Sequence, residues 1–181
     1  MQNINITIEG LSPLLMHNPA SMLDPQPATK KIPKPEDEAA KSAYWTKDRS
    51  SLMLPASSLH AALIRASGAY LINRKSVKSF IAGSIALSPE EVPLGTSEYE
   101  IDLRTVVVQR ARIVRARAKI PTPWTASFIM TFDEQWLPEE FMEATMPEIL
   151  NRAGSAFGLL DFRPQCGGPF GRFHVAEFRL A

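Results

Sequence analysis

A chain of 181 residues, 45% hydrophobic and 22% charged, is long enough to bury one substantial core and is ordinary in composition for a soluble globular protein. Its 20 basic and 19 acidic side chains leave a net charge of +1, so any basicity that matters is local. The single cysteine, Cys166, excludes an internal disulfide framework and fits a reducing cytoplasmic setting, and no apolar run approaches the roughly 18–20 residues of a membrane-spanning helix.

Ile4, Ile6 and Ile8 alternate with Asn5, Thr7 and Glu9, which predicts a half-buried β-strand near the start of the chain. This opening lacks the basic-then-apolar pattern of a secretory signal. Ser12 to His17 continues the strand or curls it into a loop. Between residues 18 and 50 the prolines Pro19, Pro25, Pro27, Pro33 and Pro35 break any period, so this stretch reads as a long inserted loop. Asp24 is an isolated acid within it, and Tyr44 and Trp45 close it, more as anchors than as stacking platforms. Pro55 excludes helix before it, and Ser57 or Ser58 is expected to cap a helix whose buried stripe is Leu59, Ala62, Leu63 and Ala66. Hydroxyls and free N–H groups at such a start suit a phosphate. His60 has no second His or Cys at ligand spacing, so neither a metal nor a cofactor is expected.

Residues 68–99 show no clean period; Arg74, Lys75 and Lys78 with Val77, Phe80 and Ile81 suggest a short helix with a basic face. Ile101 to Val108 reads as a strand leading into a basic stretch, which Pro121 and Pro123 bring to an end. Ala126 to Phe132 is a further strand with Phe128, Met130 and Phe132 on one side. Pro138 starts an acidic helix carrying Phe141, Met142, Ile149 and Leu150, kinked at Pro147. A glycine-rich segment, Gly154 to Arg172, has the close backbone approach that phosphate-cradling loops use, and Phe173, Val175 and Glu177 begin a last strand.

The most unusual stretch is Val106 to Lys119, which places Arg110, Arg112, Arg115, Arg117 and Lys119 within ten residues and no acid among them. Valine and isoleucine favour strand here. Arg110 and Arg112 then share one face and Arg115, Arg117 and Lys119 the other, implying a bulge, a hairpin tip or a ribbon with both faces in solvent. Crowded like charges call for an anion, and a phosphate backbone is a better match than a merely solvated surface. The acids gather elsewhere, at Asp133, Glu134, Glu139, Glu140, Glu143 and Glu148.

Strand, long loop, helix, strands with a basic ribbon, strand, helix, glycine loop and final strand make an α+β chain of the β-α-β-β-α-β ferredoxin-like, or RRM-like, plan. One domain, 1–181, is expected, with insertions at 18–50 and 104–123. In this order the chain resembles the RAMP superfamily of CRISPR-associated proteins, most of all the backbone subunits that line the guide RNA of effector complexes. Leu54-Pro55-Ala56-Ser57-Ser58-Leu59-His60-Ala61-Ala62-Leu63-Ile64-Arg65 is similar to the family's P-G-S-S-L-K-G-x-x-R segment, with Ala56, His60 and Ala61 replacing Gly, Lys and Gly. Lys119-Ile120-Pro121 before Phe128-Ile129-Met130 resembles its turn into a core strand, and Gly168-Pro169-Phe170-Gly171-Arg172-Phe173 its final glycine loop. The resemblance implies sequence-independent binding of single-stranded guide RNA, and possible engagement of a paired target strand, by copies of the chain stacked side by side with other effector subunits. Ser57, Ser58, His60 and Arg65 would hold phosphates at the first helix. Arg110, Arg112, Arg115, Arg117 and Lys119 would form a protruding thumb hairpin, and Gly168, Gly171 and Arg172 would complete the groove. The residues by themselves point the same way more loosely, to cations on an open sheet bound to phosphates.

Two alternatives stay open. A RAMP-type endoribonuclease would use His17, His60 or His174 as general acid or base, or Asp24, with Asp37 in reserve, as a metal-binding acid in target cleavage. A protein–protein module would dock an acidic partner on the basic ribbon. No phosphate-loop or dinucleotide-binding motif is present.

Overall fold

A computed structural model describes residues 1–22, 34–108 and 110–180. In chain order the elements are β1 (Gln2–Gly10), β2 (Leu14–Leu15), α1 (Pro35–Ser42), β3 (Met53–Pro55), α2 (Ala56–Ala66), β4 (Leu71–Ile72), β5 (Lys75–Ser76), α3 (Lys78–Ser84), β6 (Ile85–Ser88), β7 (Glu91–Pro93), β8 (Glu100–Val108), β9 (Ala111–Ile120), β10 (Thr125–Phe132), α4 (Glu139–Ala144), α5 (Met146–Arg152) and β11 (Phe173–Leu180). The chain is α+β, and its strands pair antiparallel.

The main sheet has the order β11-β1-β10-β6. Alternation in β1 turns Ile4, Ile6 and Ile8 into the core at 0 to 1% exposure, beside Ala126, Phe128, Met130 and Phe132 of β10. Against this face pack Leu59, Ala62, Leu63 and Ala66 of α2, the stripe anticipated from spacing, with Met142, Met146, Ile149 and Leu150 of α4 and α5. Pro147, in the first turn of α5, accounts for a break between two short helices where a kink was anticipated. The other face is polar: the Thr7 and Ser127 hydroxyls meet at 2.9 Å, and Thr131 donates to Asn3 Oδ1 at 2.8 Å. Its exposed large apolar residue is Ile129, and its Arg179 is tied to Glu177 at 2.6 Å. Cations on an open sheet were anticipated; on this face Arg179 is exposed but already paired with an acid.

Three expectations need correction. The fourth strand of the main sheet is β6, in the stretch that showed no period, while Ile101–Val108 belongs to a separate sheet, β2-β9-β8. Arg74 and Lys75 lie at the turn of the small β4–β5 hairpin, outside α3, with Asn73 and Arg74 at positive φ. The inserted segment 18–50 contains α1, which starts on Pro35, a residue whose fixed φ suits a first helical position.

α1 holds the hairpin sheet in place. Ser42 Oγ accepts the Ala118 N–H at 2.8 Å, Glu38 Oε2 accepts the Ala116 N–H at 3.0 Å, and Met16 N–H donates to the Ala118 carbonyl at 2.9 Å. Side chains of a helix thus satisfy donors on the edge of β9 beyond the two residues paired with β2. Ser42 is buried, so Ser42→Ala leaves the Ala118 N–H without its acceptor. We expect a loss of about 1–3 kcal/mol in urea denaturation; an unchanged midpoint would mean that α1 does not hold this edge.

Candidate nucleic-acid interface

An open groove of about 370 Å³ lies where the start of α2, the end of β2 and the Gly158–Arg163 loop meet. Its walls include Ser57, Ser58 and Arg65 of α2, His17 and Tyr44 from the two ends of the inserted segment, and Asp161 and Arg163. α2 begins directly on Ala56 with Pro55 at the N-cap, and no side chain caps it. Ser58 Oγ donates back to the Pro55 carbonyl at 2.8 Å, while Ser57 is exposed. The cap anticipated from Ser57 or Ser58 is absent because the strand-like Pro55 already turns the chain into helix. Arg65, in the last turn of α2, is exposed with no ion pair or hydrogen bond among the described residues, whereas Arg163 donates to the Leu160 carbonyl at 2.8 Å.

Asp161 is the acid of the groove. Its Oδ2 lies 2.7 Å from Arg117 Nη1 and 3.9 Å from His17 Nδ1. Neither approach is aligned as a hydrogen bond, and the oxygen is shielded from solvent. Tyr44 donates its hydroxyl to the His17 carbonyl at 3.0 Å. Burial, and secondly the Asp161 charge, raise its pKa above the usual 10. Trp45 meets Tyr99 edge-on, so the aromatic pair anchors the segment.

The basic ribbon is a regular hairpin, with β8 and β9 in continuous register from Glu100↔Lys119 to Val108↔Ala111 and Arg110 at the tip with φ 69°. Of the three structures that the arginine spacing allowed, it is the hairpin tip. Its charges are not all free. Arg115 pairs with Glu38 at 2.8 Å, Arg117 with Asp161 at 2.7 Å and Lys119 with Glu100 at 2.7 Å. Arg110 and Arg112 are exposed and carry no such partner among the described residues. The crowding of like charge seen in the sequence is relieved largely by acids of the chain itself, at the hairpin's base, leaving the tip cationic.

Arg104 completes the attachment. Asp102 takes it in a two-pronged ion pair, at 2.6 and 3.1 Å, while its guanidinium stacks over Phe170 at 4.7 Å and Phe162 at 5.7 Å. The opposite hairpin face exposes Ile101, Leu103, Val107 and Val114 by 41, 57, 69 and 64%, far too open to belong to the core.

His60 does not enter the groove; its Nε2 lies 3.4 Å from the Ile81 carbonyl, at α3. Arg172 is exposed, its guanidinium donates to the Ser155 carbonyl, and its N–H donates to Ser12 Oγ at 2.9 Å. The cradle anticipated at Gly168 and Gly171 has its donors occupied, because Gly168 N–H donates to the Arg163 carbonyl at 3.0 Å and Gly171 N–H to the Pro13 carbonyl at 2.9 Å. A Cβ at either glycine would strike backbone, of Phe162 and Leu159 respectively, so these glycines serve close packing of the loop on itself. His174 stands near Glu9 at 3.9 Å, leaving His17 as the histidine of the groove. Asp24 lies outside the described residues, and Asp37 is exposed on α1. Cys166 is exposed and free, and no cluster of metal-binding side chains occurs among the described residues. No described helix is long and apolar enough to cross a membrane.

Sequence reasoning missed His17, Tyr44, Asp161 and Arg163 as partners in one groove. The signal was faint: Asp161 and Arg163 fall between the two glycine clusters, and only the fold brings the ends of the inserted segment to them.

No family model matches the chain, and no curated protein matches it. A chain in the cryo-EM structure of the Type III-B Cmr-beta bound to cognate target RNA superposes with a TM-score of 0.64 at 12% identity. The match covers 99% of this chain and 60% of that one, so this chain spans less than two thirds of its structural neighbour. The two share a fold.

Asp161 and Tyr44 can be tested without a ligand. Since its folded pKa is raised, Tyr44 contributes stability that is complete below pH 10 and fades as pH climbs through the raised value. Asp161→Asn should bring the Tyr44 phenol, followed by ultraviolet titration against Tyr44→Phe, partway back toward 10, because burial remains. An unmoved midpoint would place the Asp161 charge out of reach of Tyr44.

Proposed function

We propose that the chain binds single-stranded RNA through its backbone, without sequence preference, as a repeated subunit of a CRISPR-type ribonucleoprotein effector complex. The observation that carries the reading is the groove at the start of α2, which gathers Ser57, Ser58, Arg65 and Arg163 beside a hairpin with a cationic tip. Hydroxyls and guanidinium groups converging on one open channel suit successive phosphates and nothing apolar. Likeness of fold to a chain from an RNA-bound Cmr assembly supports the same reading. So does the strand order β11-β1-β10-β6 with α2 and α4–α5 in the crossovers, which is the order of a ferredoxin-like core and fits the RAMP superfamily.

In this reading Arg110 and Arg112 contact phosphate from the tip, while Arg115, Arg117 and Lys119, each matched with a carboxylate, fix the hairpin's base. Arg172 lies beside the same loop, and Gly168 and Gly171 give that loop its shape. The exposed Ile101, Leu103, Val107 and Val114 face is what neighbouring copies or other subunits of the complex would cover.

Titration of single-stranded RNA at several salt concentrations tests the reading. Each phosphate neutralised contributes about −0.7 to the slope of log affinity against log salt, so Arg110→Ala with Arg112→Ala should flatten it by about 1.4. Arg65→Ala should flatten it further by about 0.7. A wild type that binds no single strand, or a slope that ignores all three changes, would turn the cationic surface over to a protein partner.

A further inference from the structure

The groove contains one group that a phosphate cannot want. Ser57, Arg65 and Arg163 offer donors, but Asp161 is a carboxylate in the same wall. Its Oδ2 is shielded, turned toward Arg117 and His17. The side chain is nevertheless 30% exposed, so that exposure falls on its remaining atoms, Oδ1 among them, toward the groove. An ionised carboxylate accepts hydrogen bonds and donates none, and it repels a phosphate oxygen at close range. Whatever meets Asp161 must bring a donor.

A single nucleic-acid strand carries two kinds of donor, amino and imino groups on some bases and the 2′-hydroxyl on every ribose. In a groove that grips phosphate, the group standing at a fixed distance from each phosphate is the sugar. We propose that Asp161 accepts the ribose 2′-hydroxyl of a bound strand, so that the groove selects RNA over DNA. The Arg117 ion pair holds the carboxylate in position, which makes Arg117 a positioning residue for this contact. The assignment rests on the backbone-binding reading above and names the group by which the groove tells that RNA from DNA.

The experiment uses the full chain and oligouridylates, and compares ribo, deoxy and 2′-O-methyl sugars on the same base at one salt concentration. The 2′-O-methyl sugar keeps an oxygen at the position but has no proton to donate. Wild type should bind the ribo strand about tenfold tighter than either of the others, the scale of one hydrogen bond to a charged acceptor. Asp161→Ala should bring the three affinities together, even if release of Arg117 tightens all of them. Equal binding of the three sugars by wild type would overturn the assignment and leave phosphate binding standing. A ribo preference that persists in Asp161→Ala would do the same, as would an Asp161-dependent preference for oligocytidylates over oligouridylates with no difference among sugars, since that would move the donor to the base amino group. Absence of binding to any strand would remove the phosphate reading and this assignment with it. The wild-type sugar comparison needs no variant to fold, and thermal melting of Asp161→Ala separates a lost contact from a lost structure.

Discussion

Arg117 Nη1 and Asp161 Oδ2, 2.7 Å apart, join two parts of the chain that no strand pairing connects. One is the β8–β9 hairpin, held along its edge by α1; the other is the loop between Gly158 and Gly171, which returns the chain to β11. With Arg117 only 14% exposed, the pair is partly withdrawn from water, where attraction is less screened than on the surface. Arg104 works beside it, two residues along β8 from the partner of Arg117, stacked on Phe170 and Phe162 of the same loop. Together they set where the hairpin stands relative to the groove.

That arrangement explains how a chain of net charge +1 carries so dense a basic stretch. A cation matched with a carboxylate at under 3 Å contributes little field at a distance, and three of the five in Arg110–Lys119 are so matched. They act as fasteners, to α1 through Arg115, to the glycine loop through Arg117 and across the hairpin through Lys119. The two outermost arginines lack such partners among the described residues and lie farthest from the carboxylates that fasten the base. Cationic character thus rises from base to tip along one ribbon, a gradient invisible to a count of charges.

Much of the framework was legible because it follows from periodicity. Ile4, Ile6 and Ile8, the Ala126–Phe132 alternation and the Leu59–Ala66 stripe each announce an element and its buried face. β6 was not legible, since Ile85-Ala86-Leu87-Ser88 is four residues long and its alternation is too brief to stand out beside α3. α1 was hidden by prolines, one of which is its own first residue. The candidate groove was half legible: Ser57, Ser58 and Arg65 share a helix and can be read together, whereas His17, Tyr44 and Asp161 are brought together by tertiary contacts alone. The glycine loop misled for a physical reason. Gly168 and Gly171 permit close approach, as their type suggested, but what approaches is the chain's own backbone at Phe162 and Leu159.

The hairpin's two faces divide its labour. Asp102, Arg104, Arg117 and Lys119 project to the side of the groove and the loop, where each finds a charge or a ring. Ile101, Leu103, Val107 and Val114 project to the other side, with Arg112 opposite Val107 near the tip and the buried Ala116 and Ala118 toward the base. Because successive side chains of a strand alternate, a one-residue slip of β9 against β8 would turn β9 over, sending Val114 to the groove side and Arg115, Arg117 and Lys119 to the open side. The register is fixed by what lies beyond the hairpin itself: Glu38 and Ser42 take the N–H groups of Ala116 and Ala118, and Asp161 takes the side chain of the residue between them. Three consecutive residues of β9, gripped alternately by helix and loop, hold the ribbon in the one register that keeps its charged face on the groove.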